Sequence, residues 1–418
     1  MAQLSDDCFA FGGALMSGAE ALRLVEARTL PLPEAETVPL ASALHRILAA
    51  PVVAPLSVPP HDNAAVDGYA VYFDDLAPGA PTVLPVTGRA SAGHPLPGAA
   101  PRGAAVRIFT GACMPDGPDT IFMQEDCVEE DGKVRLPPGL KRGSNRRRAG
   151  EDVKAGASVL AAGHRLRAQD IGLAASLGFA ALPVYRKLKV ALLSTGDEVR
   201  EPGTPLPEGA IYDANRYTLR ALLEGLGVAV TDLGIVRDRR DAVEAALASA
   251  AVEHDLVLTS GGMSTGEEDH VKAAVEALGR LHFWRLAIKP GRPVAMGQIG
   301  RVPFMGLPGN PVAVMVTFLV LARPLILRLA GAREIAPRSF PVVADFAYRK
   351  KEGRREYLRA RLDAAPAGGW IARKFPRDGA GILSSMVESD GLVVLDESLT
   401  ELAPGSSVPF LPFREVMD

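Results

Sequence analysis

The sequence has few of the residues that mark a disulfide-stabilised or nucleic-acid-coating protein. Only three cysteines occur among 418 residues, Cys8, Cys113 and Cys127, and none forms a C-x-x-C pair. A sparse and odd set of this kind predicts no disulfide framework and is typical of a reducing compartment. The formal net charge is only −3, which argues against a general nucleic-acid partner because such proteins are usually strongly basic.

Targeting signals and membrane-spanning runs are also lacking. The N-terminus carries Asp6 and Asp7 and no early basic cluster, so no signal peptide is predicted. The longest apolar run near the C-terminal end, Val312–Ala322, is closed by Arg323 and Pro324. It is too short to span a bilayer and predicts a buried helix. We therefore expect a cytoplasmic protein with no membrane partner.

The composition is that of an ordinary globular enzyme, with 48% hydrophobic and 23% charged residues. A chain of this length predicts about two to four domains. Helical apolar spacing near the N-terminus and again after the first third predicts a discontinuous helical domain over residues 1–60 and 146–186. The segments with this spacing are Ala14–Ala27, Leu40–Ala49 and Ala168–Leu177.

Residues 61–145 alternate short β-type runs with glycine and proline, which predicts an inserted β domain. The runs are Tyr69–Phe73, Thr82–Thr87, Ala104–Phe109, Thr120–Gln124 and Lys133–Leu136. Strand-like runs return in residues 336–418 and predict a small C-terminal β domain. These runs are Pro341–Phe346, Glu356–Leu362 and Leu392–Leu395.

Residues 187–335 alternate strand and helix patterns, which predicts an α/β domain with a parallel-rich sheet. The predicted strands are Leu188–Ser194, Val228–Val236, Asp255–Ser260 and Phe304–Leu307. The predicted helices are Ala214–Leu226, Asp241–Val252, His270–Leu278 and Pro311–Leu329. Polar residues collect where these strands stop, and in a parallel sheet such turns share the edge that binds ligands.

The turn after the third strand, Ser260–Gly266, reads S-G-G-M-S-T-G. Its glycines would let backbone N–H groups approach phosphate oxygens, and its hydroxyl groups would add donors. It is not a P-loop, because no Gly-Lys-Ser/Thr follows, and it is not G-x-G-x-x-G. A plain flexible turn is the alternative.

Acidic side chains follow three of the predicted strands: Glu198, Asp238 and Asp269. Mg²⁺ prefers a few carboxylates together with water and phosphate oxygens. Three carboxylates from separate loops on one edge predict a metal or phosphate site, although each alone is more often a helix cap.

Two further segments carry groups that suit anions. Lys289 and Arg292 lie on a proline- and glycine-containing turn, where they either bind anionic oxygens or are solvated surface charges. The Pro308–Pro311 segment (P-G-N-P) begins a helix, whose positive dipole end favours an anion, or is simply an ordinary capped start.

Residues outside the α/β domain give weaker signals. Asp67-Gly68 and Thr110-Gly111 are typical of tight turns. The basic run Lys141–Arg148 predicts a solvated linker, or alternatively one rim of an anion site. The histidines have no metal-ligand spacing.

Eight segments in order resemble the MoeA family of molybdopterin molybdenumtransferases, which includes the C-terminal part of gephyrin. They are DNAAVDGYA (62–70), IFTGA (108–112), RRAGEDV (147–153), STGDEV (194–199), DANRYTLRALLEGLG (213–227), TSGGMSTGEED (259–269), IKPGRP (288–293) and GLPGNPV (306–312). GRREYLRARL (353–362) and ILSSM (382–386) resemble the family's final domain. The chain departs from the family at Arg292, where lysine is frequent.

The resemblance implies an α/β multidomain fold: a central three-layer domain like the adenylyltransferase MogA, a helical domain, an inserted β domain and a C-terminal β-barrel-like domain. It implies a homodimer whose cleft lies between the α/β domain of one subunit and the other subunit's β domain. The implied reaction inserts molybdate into adenylylated molybdopterin and releases AMP, with Mg²⁺ as cofactor. A MogA-type adenylyltransferase and recipient molybdoenzymes are the further implied partners.

The candidate site combines both lines of reasoning. The resemblance implies five catalytic residues: Asp67, Thr110, Glu198, Asp238 and Asp269. Glu198, Asp238 and Asp269 are the candidate metal ligands. The candidate substrate-binding residues are Thr195, Gly196, Ser260, Gly261, Gly262, Ser264, Lys289, Arg292, Pro308, Gly309, Asn310 and Pro311. Two other functions remain open, namely a molybdopterin adenylyltransferase and a carrier without chemistry.

Overall fold

The computed structural model describes residues 16–32, 34–261, 270–366 and 368–417. The chain divides into two compact units. One unit holds residues 1–49, 162–166 and 182–418, and the other holds residues 50–161 and 167–181.

A six-stranded sheet organises the α/β domain of the larger unit. Its strands, in spatial order, are Ala229–Val236, Lys189–Thr195, Leu256–Ser260, Val302–Leu307, Pro293–Ile299 and Gly279–Arg285. The first four are parallel, as predicted. The last two are antiparallel additions that were not predicted.

Helices cover both faces of this sheet and make three layers. They are Ala214–Gly225, Arg240–Glu253, His270–Leu278, Pro311–Thr317 and Arg323–Leu329, the last two joined by a π-helical turn over Phe318–Ala322. Alternate strand residues face opposite layers: Leu192 and Leu258 pack in one core, and Leu193 and Val257 in the other. Each predicted helix is present, with ends within a few residues of those expected.

The apolar segment Pro311–Leu329 is long enough to cross a membrane by length and composition. However, 89% of its most apolar window is buried inside the protein. Val312, Phe318 and Leu325 lie in the core beside the sheet. The segment is therefore a core helix, as the sequence predicted.

The C-terminal residues form a closed five-stranded barrel. Its strands are Phe340–Ala344, Arg355–Ala364, Trp370–Lys374, Gly391–Leu395 and Ser407–Pro412. Short helices at Ser384–Val387 and Phe413–Val416 and a strand pair of Tyr348–Arg349 with Glu401–Leu402 complete it. Ile288–Lys289 of the α/β domain runs parallel to the start of Arg355–Ala364 and joins the same sheet.

The N-terminal part of this unit corrects one prediction. A helix spans Gly18–Arg28, and strands span Ala35–Pro39 and Ala181–Tyr185. The predicted helix over Leu40–Ala49 is wrong, since only a 3₁₀ turn over Leu40–Ser42 forms. The amide of Leu48 donates to the carbonyl of His164 at 3.0 Å, so long-range pairing outweighs the local helical spacing.

The smaller unit is built mainly on a second six-stranded sheet. In spatial order its strands are Thr120–Met123, Gly68–Val71, Ala105–Ile108, Thr82–Ala90, Lys133–Leu136 and Val128–Glu130. Short pairs join Val52–Val53 to Ser158–Leu160 and Asn63–Ala64 to Arg146–Arg147. The predicted helix near 168 spans Ala168–Ser176 and starts with a bond from the Arg167 amide to Asp170. All five predicted β runs of this region are strands.

Candidate active site

The carboxyl ends of the parallel strands carry a small cleft of about 80 Å³. Ser194, Thr195, Ser260 and Gly261 approach it from two neighbouring strands, because parallel strands end at the same edge. Glu198 and the helix starts at Ala214 and Pro311 complete its walls. We call this the edge cleft.

A larger open cleft of about 490 Å³ lies between the α/β domain and the C-terminal barrel. The predicted residues that line it are Glu198, Gly261, Lys289, Pro308, Gly309 and Asn310. The barrel supplies Tyr348, Glu356, Arg359 and Asp378, which the sequence did not single out. We call this the domain cleft, and Glu198, Gly261 and Gly309 line both clefts.

Glu198 is the best-placed acid of the predicted set. Its turn is closed by a bond of 3.1 Å from the Val199 amide to the Gly196 carbonyl. Gly196 has a φ of +141°, a backbone conformation that favours glycine, and the turn brings the Glu198 carboxylate close to it. Within the described part of the chain, no side chain bonds the exposed Glu198 carboxylate.

Buried hydroxyl groups line the edge cleft behind Glu198. Ser194 and Thr195 are each only 2% exposed, yet neither side-chain oxygen has a hydrogen-bond partner among the residues described. Burying such groups unpaired is costly. Their position in the wall of the cleft means that a polar ligand there would satisfy them.

Only the first residues of the predicted glycine-rich turn are described. Gly261 has a φ of +86°, and a Cβ there would lie 2.8 Å from the Thr195 carbonyl oxygen. The close approach of two backbones therefore requires glycine. Gly262, Ser264 and Asp269 lie outside the described residues.

The two predicted cations occupy different environments. Lys289 lines the domain cleft, where its Nζ lies 3.2 Å from Glu356 Oε2 and 3.3 Å from the Tyr348 hydroxyl. Arg292 is exposed and is not among the residues that line either cleft. Lysine and arginine of the same turn are thus separated by the tertiary structure.

Asp238 follows its strand as predicted and is half-buried, but it lines neither described cleft. No cluster of three histidine, cysteine or acidic side chains suited to a metal occurs in 16–32, 34–261, 270–366 or 368–417. Glu198 alone among the described acids of the clefts is not already bound: Asp213, Glu356 and Asp378 each pair with a cation. A carboxylate oxygen without a side-chain partner is a donor that Mg²⁺ prefers, so Glu198 fits such an ion.

An arginine that the sequence did not single out holds the wall of the edge cleft. Arg216 is 4% exposed, and its guanidinium bonds Asp213 at 3.0 Å and also Asp232 and Glu201. Asp213 begins the helix Ala214–Gly225 by accepting the Arg216 amide at 3.0 Å. Helix start, strand and loop are therefore tied together by one cation.

The helix start at Asn310 lies at the same edge. Asn215 Nδ2 donates to the Gly309 carbonyl at 2.7 Å, which holds the Pro308–Pro311 turn against the neighbouring helix. Asn310 has extended backbone and Pro311 occupies the first turn, as is typical of a helix start. Its amide end is directed to the clefts that Gly309 and Asn310 line.

Asp67 and Thr110 meet in the smaller unit. The Thr110 amide and hydroxyl both donate to Asp67 Oδ1 at 2.7 Å. These bonds, first from the amide and then from the hydroxyl, lower the pKa of Asp67 below its ordinary value. The sequence treated both segments as turns, and the structure shows an acid held ionised by its neighbour.

Thr110→Val is expected to raise the pKa of Asp67 toward its ordinary value, because the hydroxyl donor is lost while the amide remains. A carboxyl whose folded-state pKa is depressed contributes stability that is lost as the pH falls through that pKa. The contribution in the variant should therefore be smaller than in the wild type, and its loss on acidification should be complete at a higher pH. A ¹³C NMR titration of the Asp67 carboxyl measures this shift. Thr87→Val, which removes an exposed hydroxyl from a neighbouring strand, should leave it unchanged, and an unaltered Asp67 pKa in Thr110→Val would contradict the assignment.

The basic run 141–148 is not a free linker. Arg142 pairs with Asp74 and with Asp119, the latter at 2.7 Å, and Arg146 lies 3.3 Å from Asp62. Arg146–Arg147 also pairs with Asn63–Ala64. The run is thus a folded part of the smaller unit, and these two arginines neutralise local acids.

The chain matches three consecutive family models. They are described as the MoeA N-terminal region (domain I and II) over residues 16–178, a probable molybdopterin binding domain over 191–328, and the MoeA C-terminal region (domain IV) over 341–413.

Curated relatives and solved structures agree with these models. The chain is 41% identical over 377 residues to the molybdopterin molybdenumtransferase of Haemophilus influenzae, covering 90% of this chain and 93% of that protein. It is 36% identical over 405 residues to that of Synechococcus elongatus, covering 94% and 98%. The crystal structure of the molybdopterin biosynthesis MoeA protein from Pyrococcus horikoshii superposes with a TM-score of 0.81 at 29% identity, over 95% of this chain and all of that one. The chain therefore belongs to the MoeA family of molybdopterin molybdenumtransferases.

Proposed function

We propose that this protein inserts molybdate into adenylylated molybdopterin and releases AMP with the help of Mg²⁺. The observation that carries the proposal is the unbonded carboxylate of Glu198 beside the unsatisfied hydroxyl groups of Ser194 and Thr195. A pyrophosphate-linked substrate offers both a counter-ion site and hydrogen-bond acceptors. Family membership supplies the reaction class.

The residues of the two clefts would contact different groups of the substrate. The Ser194 and Thr195 hydroxyls and the backbone at Gly261 would donate to oxygens of the bound molecule in the edge cleft. Lys289 and the amide end of the helix at Asn310 would attract the anionic groups in the domain cleft.

The acids have a separate role. Glu198 would hold the magnesium ion, which supplies Lewis-acid polarisation of the pyrophosphate oxygens when bound. Asp238, which lines neither described cleft, and Asp269 stay predicted ligands. The Glu198 carboxylate can bind a metal ion because no described side chain forms a hydrogen bond or an ion pair with it. Ser260 is the last residue of its strand and is paired in the sheet with Ser194 and Leu307.

We further propose that the protein works as a homodimer in the cytoplasm. In this arrangement Asp67 of the partner subunit, kept ionised by Thr110, completes the domain cleft. A MogA-type adenylyltransferase would supply the substrate and recipient molybdoenzymes would take the product. Activity should then depend on protein concentration in the range where the dimer dissociates.

Turnover separates this proposal from its two rivals. Wild-type protein given adenylylated molybdopterin, Mg²⁺ and molybdate is expected to release AMP, and omission of molybdate should suppress the release. An adenylyltransferase would instead release pyrophosphate from ATP and metal-free molybdopterin. A carrier would return the adenylylated compound unchanged, and either of these results would contradict the proposed function.

A further inference from the structure

Glu356 is a buried acid of the domain cleft, and one of its carboxylate oxygens accepts from two other residues that line this cleft. It is 0% exposed and lies on the barrel strand Arg355–Ala364. Its Oε2 accepts from the Tyr348 hydroxyl at 2.8 Å and from Lys289 Nζ at 3.2 Å, and its Oε1 accepts from Arg354 Nε at 3.0 Å. Burying a carboxylate is costly unless it is paired and hydrogen-bonded in this way.

Lys289 comes from the other side of the cleft. It belongs to the α/β domain, and its side chain is 44% exposed, so the ammonium reaches the cleft while bonded to a buried partner. Backbone pairing sets the register of the two groups: Lys289 stands beside Glu356, and the Arg355 amide donates to the Ala287 carbonyl at 2.7 Å. The barrel therefore determines where this lysine lies.

Tyr348 closes the arrangement. Besides bonding Glu356, its ring lies 6.0 Å from Lys289 Nζ and 5.8 Å from Lys374 Nζ. A lysine side chain is flexible and acts as a point charge, so it has no fixed direction of its own. The carboxylate, hydroxyl and ring together restrict the ammonium to one position.

We infer that Glu356, with Tyr348, is a positioning residue that holds the Lys289 ammonium at the anion-binding wall of the domain cleft. This inference rests on the proposed function, in which Lys289 attracts the anionic substrate. It assigns the C-terminal barrel a part in the reaction, namely to orient a cation that the α/β domain supplies.

The electrostatics of the group agree with this role. Burial alone would lower the pKa of Lys289, but the bonds to Tyr348 and Glu356 outweigh it and raise the pKa above the ordinary value. Burial likewise would raise the pKa of Glu356, yet the bonds from Tyr348 and Lys289 lower it. Both groups are therefore charged at neutral pH.

Glu356→Gln keeps the shape of the side chain and removes its charge. In AMP release it is expected to raise the molybdate concentration for half-maximal rate about tenfold or more, with a smaller change in kcat, because a displaced binding group weakens orientation. A ¹³C-methylated Lys289 followed by NMR should titrate at lower pH than in the wild type, and Lys289→Ala identifies its signal. Tyr348→Phe should likewise raise the molybdate concentration for half-maximal rate and lower the pH at which Lys289 titrates. This variant replaces Glu356→Gln in the test if Glu356→Gln does not fold.

The control removes a paired acid from the opposite edge of the α/β sheet. Asp255 bonds Arg186 at 2.7 and 2.8 Å, so Asp255→Asn should lower Tm without altering the molybdate dependence or the Lys289 titration. A variant of Glu356 that behaves like this control, or that shifts the lysine pKa without changing the molybdate dependence, would overturn the inference.

Failure of the proposed function is recognised separately. The Lys289 titration and the retention of molybdate alone in equilibrium dialysis need no turnover. If the wild type released no AMP, weaker molybdate retention by Glu356→Gln would still support the positioning role, and equal retention would refute it.

Discussion

Replacing Arg216 by methionine is expected to lower the free energy of unfolding by about 3–5 kcal/mol, the range for removing one partner of a buried ionic group. Arg216 is 4% exposed and neutralises Asp213, which is 2% exposed in its side chain, together with Asp232 and Glu201. Methionine fills much of the space but leaves these carboxylates without their cation. Urea unfolding followed by circular dichroism measures the loss.

The pH dependence gives a second test of this network. The pKa of Asp232 is lowered because bonds from Arg216 and the Gly234 amide outweigh its burial, and bonds from Tyr217 and Arg216 lower that of Glu201. Depressed carboxyl pKa values contribute stability above the ordinary values of 3.8 and 4.5, and this is lost on acidification through the folded-state values. The difference between wild type and variant should therefore narrow as the pH falls below about 4.

Arg240→Met is the matched control, on the next helix of the same domain. Arg240 is 62% exposed and pairs with Glu244 one turn away at 2.7 Å. Exposed pairs of this kind contribute at most about 1 kcal/mol. An equal decrease in the free energy of unfolding in the two variants would show that the buried network does not stabilise the fold.

Glu198→Gln is expected to slow AMP release by about two to three orders of magnitude, because a polarising metal ion contributes several kcal/mol to a reaction of this type. The amide keeps the size of the side chain but loses the charge that a hard cation needs. Stability should change by less than about 0.5 kcal/mol, since the side chain is exposed and no described side chain bonds it. Single-turnover measurement of AMP at several Mg²⁺ concentrations separates weaker metal binding from slower chemistry.

Asp197→Asn tests whether the effect is specific to the position. Asp197 is the preceding exposed acid and lines neither cleft. Its replacement changes the local charge by the same amount but should leave the rate unaltered. Comparable activity of Glu198→Gln and the wild type would remove Glu198 from the proposed metal site.

Much of the α/β domain followed from residue patterns. Three of the four parallel strands are mostly apolar, as expected for strands that are buried on both faces, whereas the edge strand Ala229–Val236 has no buried residue. Asp213, Gly227 and Pro311 mark helix ends by local chemistry. The helix prediction for Leu40–Ala49 is wrong because the apolar spacing of this segment suits a helix, whereas its backbone hydrogen-bonds to residues distant in the sequence. Propensity is only a weak prior where tertiary pairing is available.

The site was predictable only in part. Glycines and acids at strand ends indicated the sheet edge, whereas Tyr348, Glu356 and Arg359 carried no comparable signal except their place in the GRREYLRARL segment. A useful signal would have been charge inside an apolar strand: Glu356 and Arg359 are 0% and 6% exposed. Buried charges are rare without a partner or a function.

The sequence by itself determined the layered α/β domain, the flanking β domains and the sheet edge that carries the predicted site, because these depend on periodicity and on turn chemistry within short segments. Only the tertiary structure decided that Lys289 faces the domain cleft while Arg292 is exposed, that Arg216 gathers three carboxylates, and that a barrel strand supplies the partner of Lys289. Such pairings join residues up to 67 positions apart. They depend on how domains and strands register with each other, which no local pattern encodes.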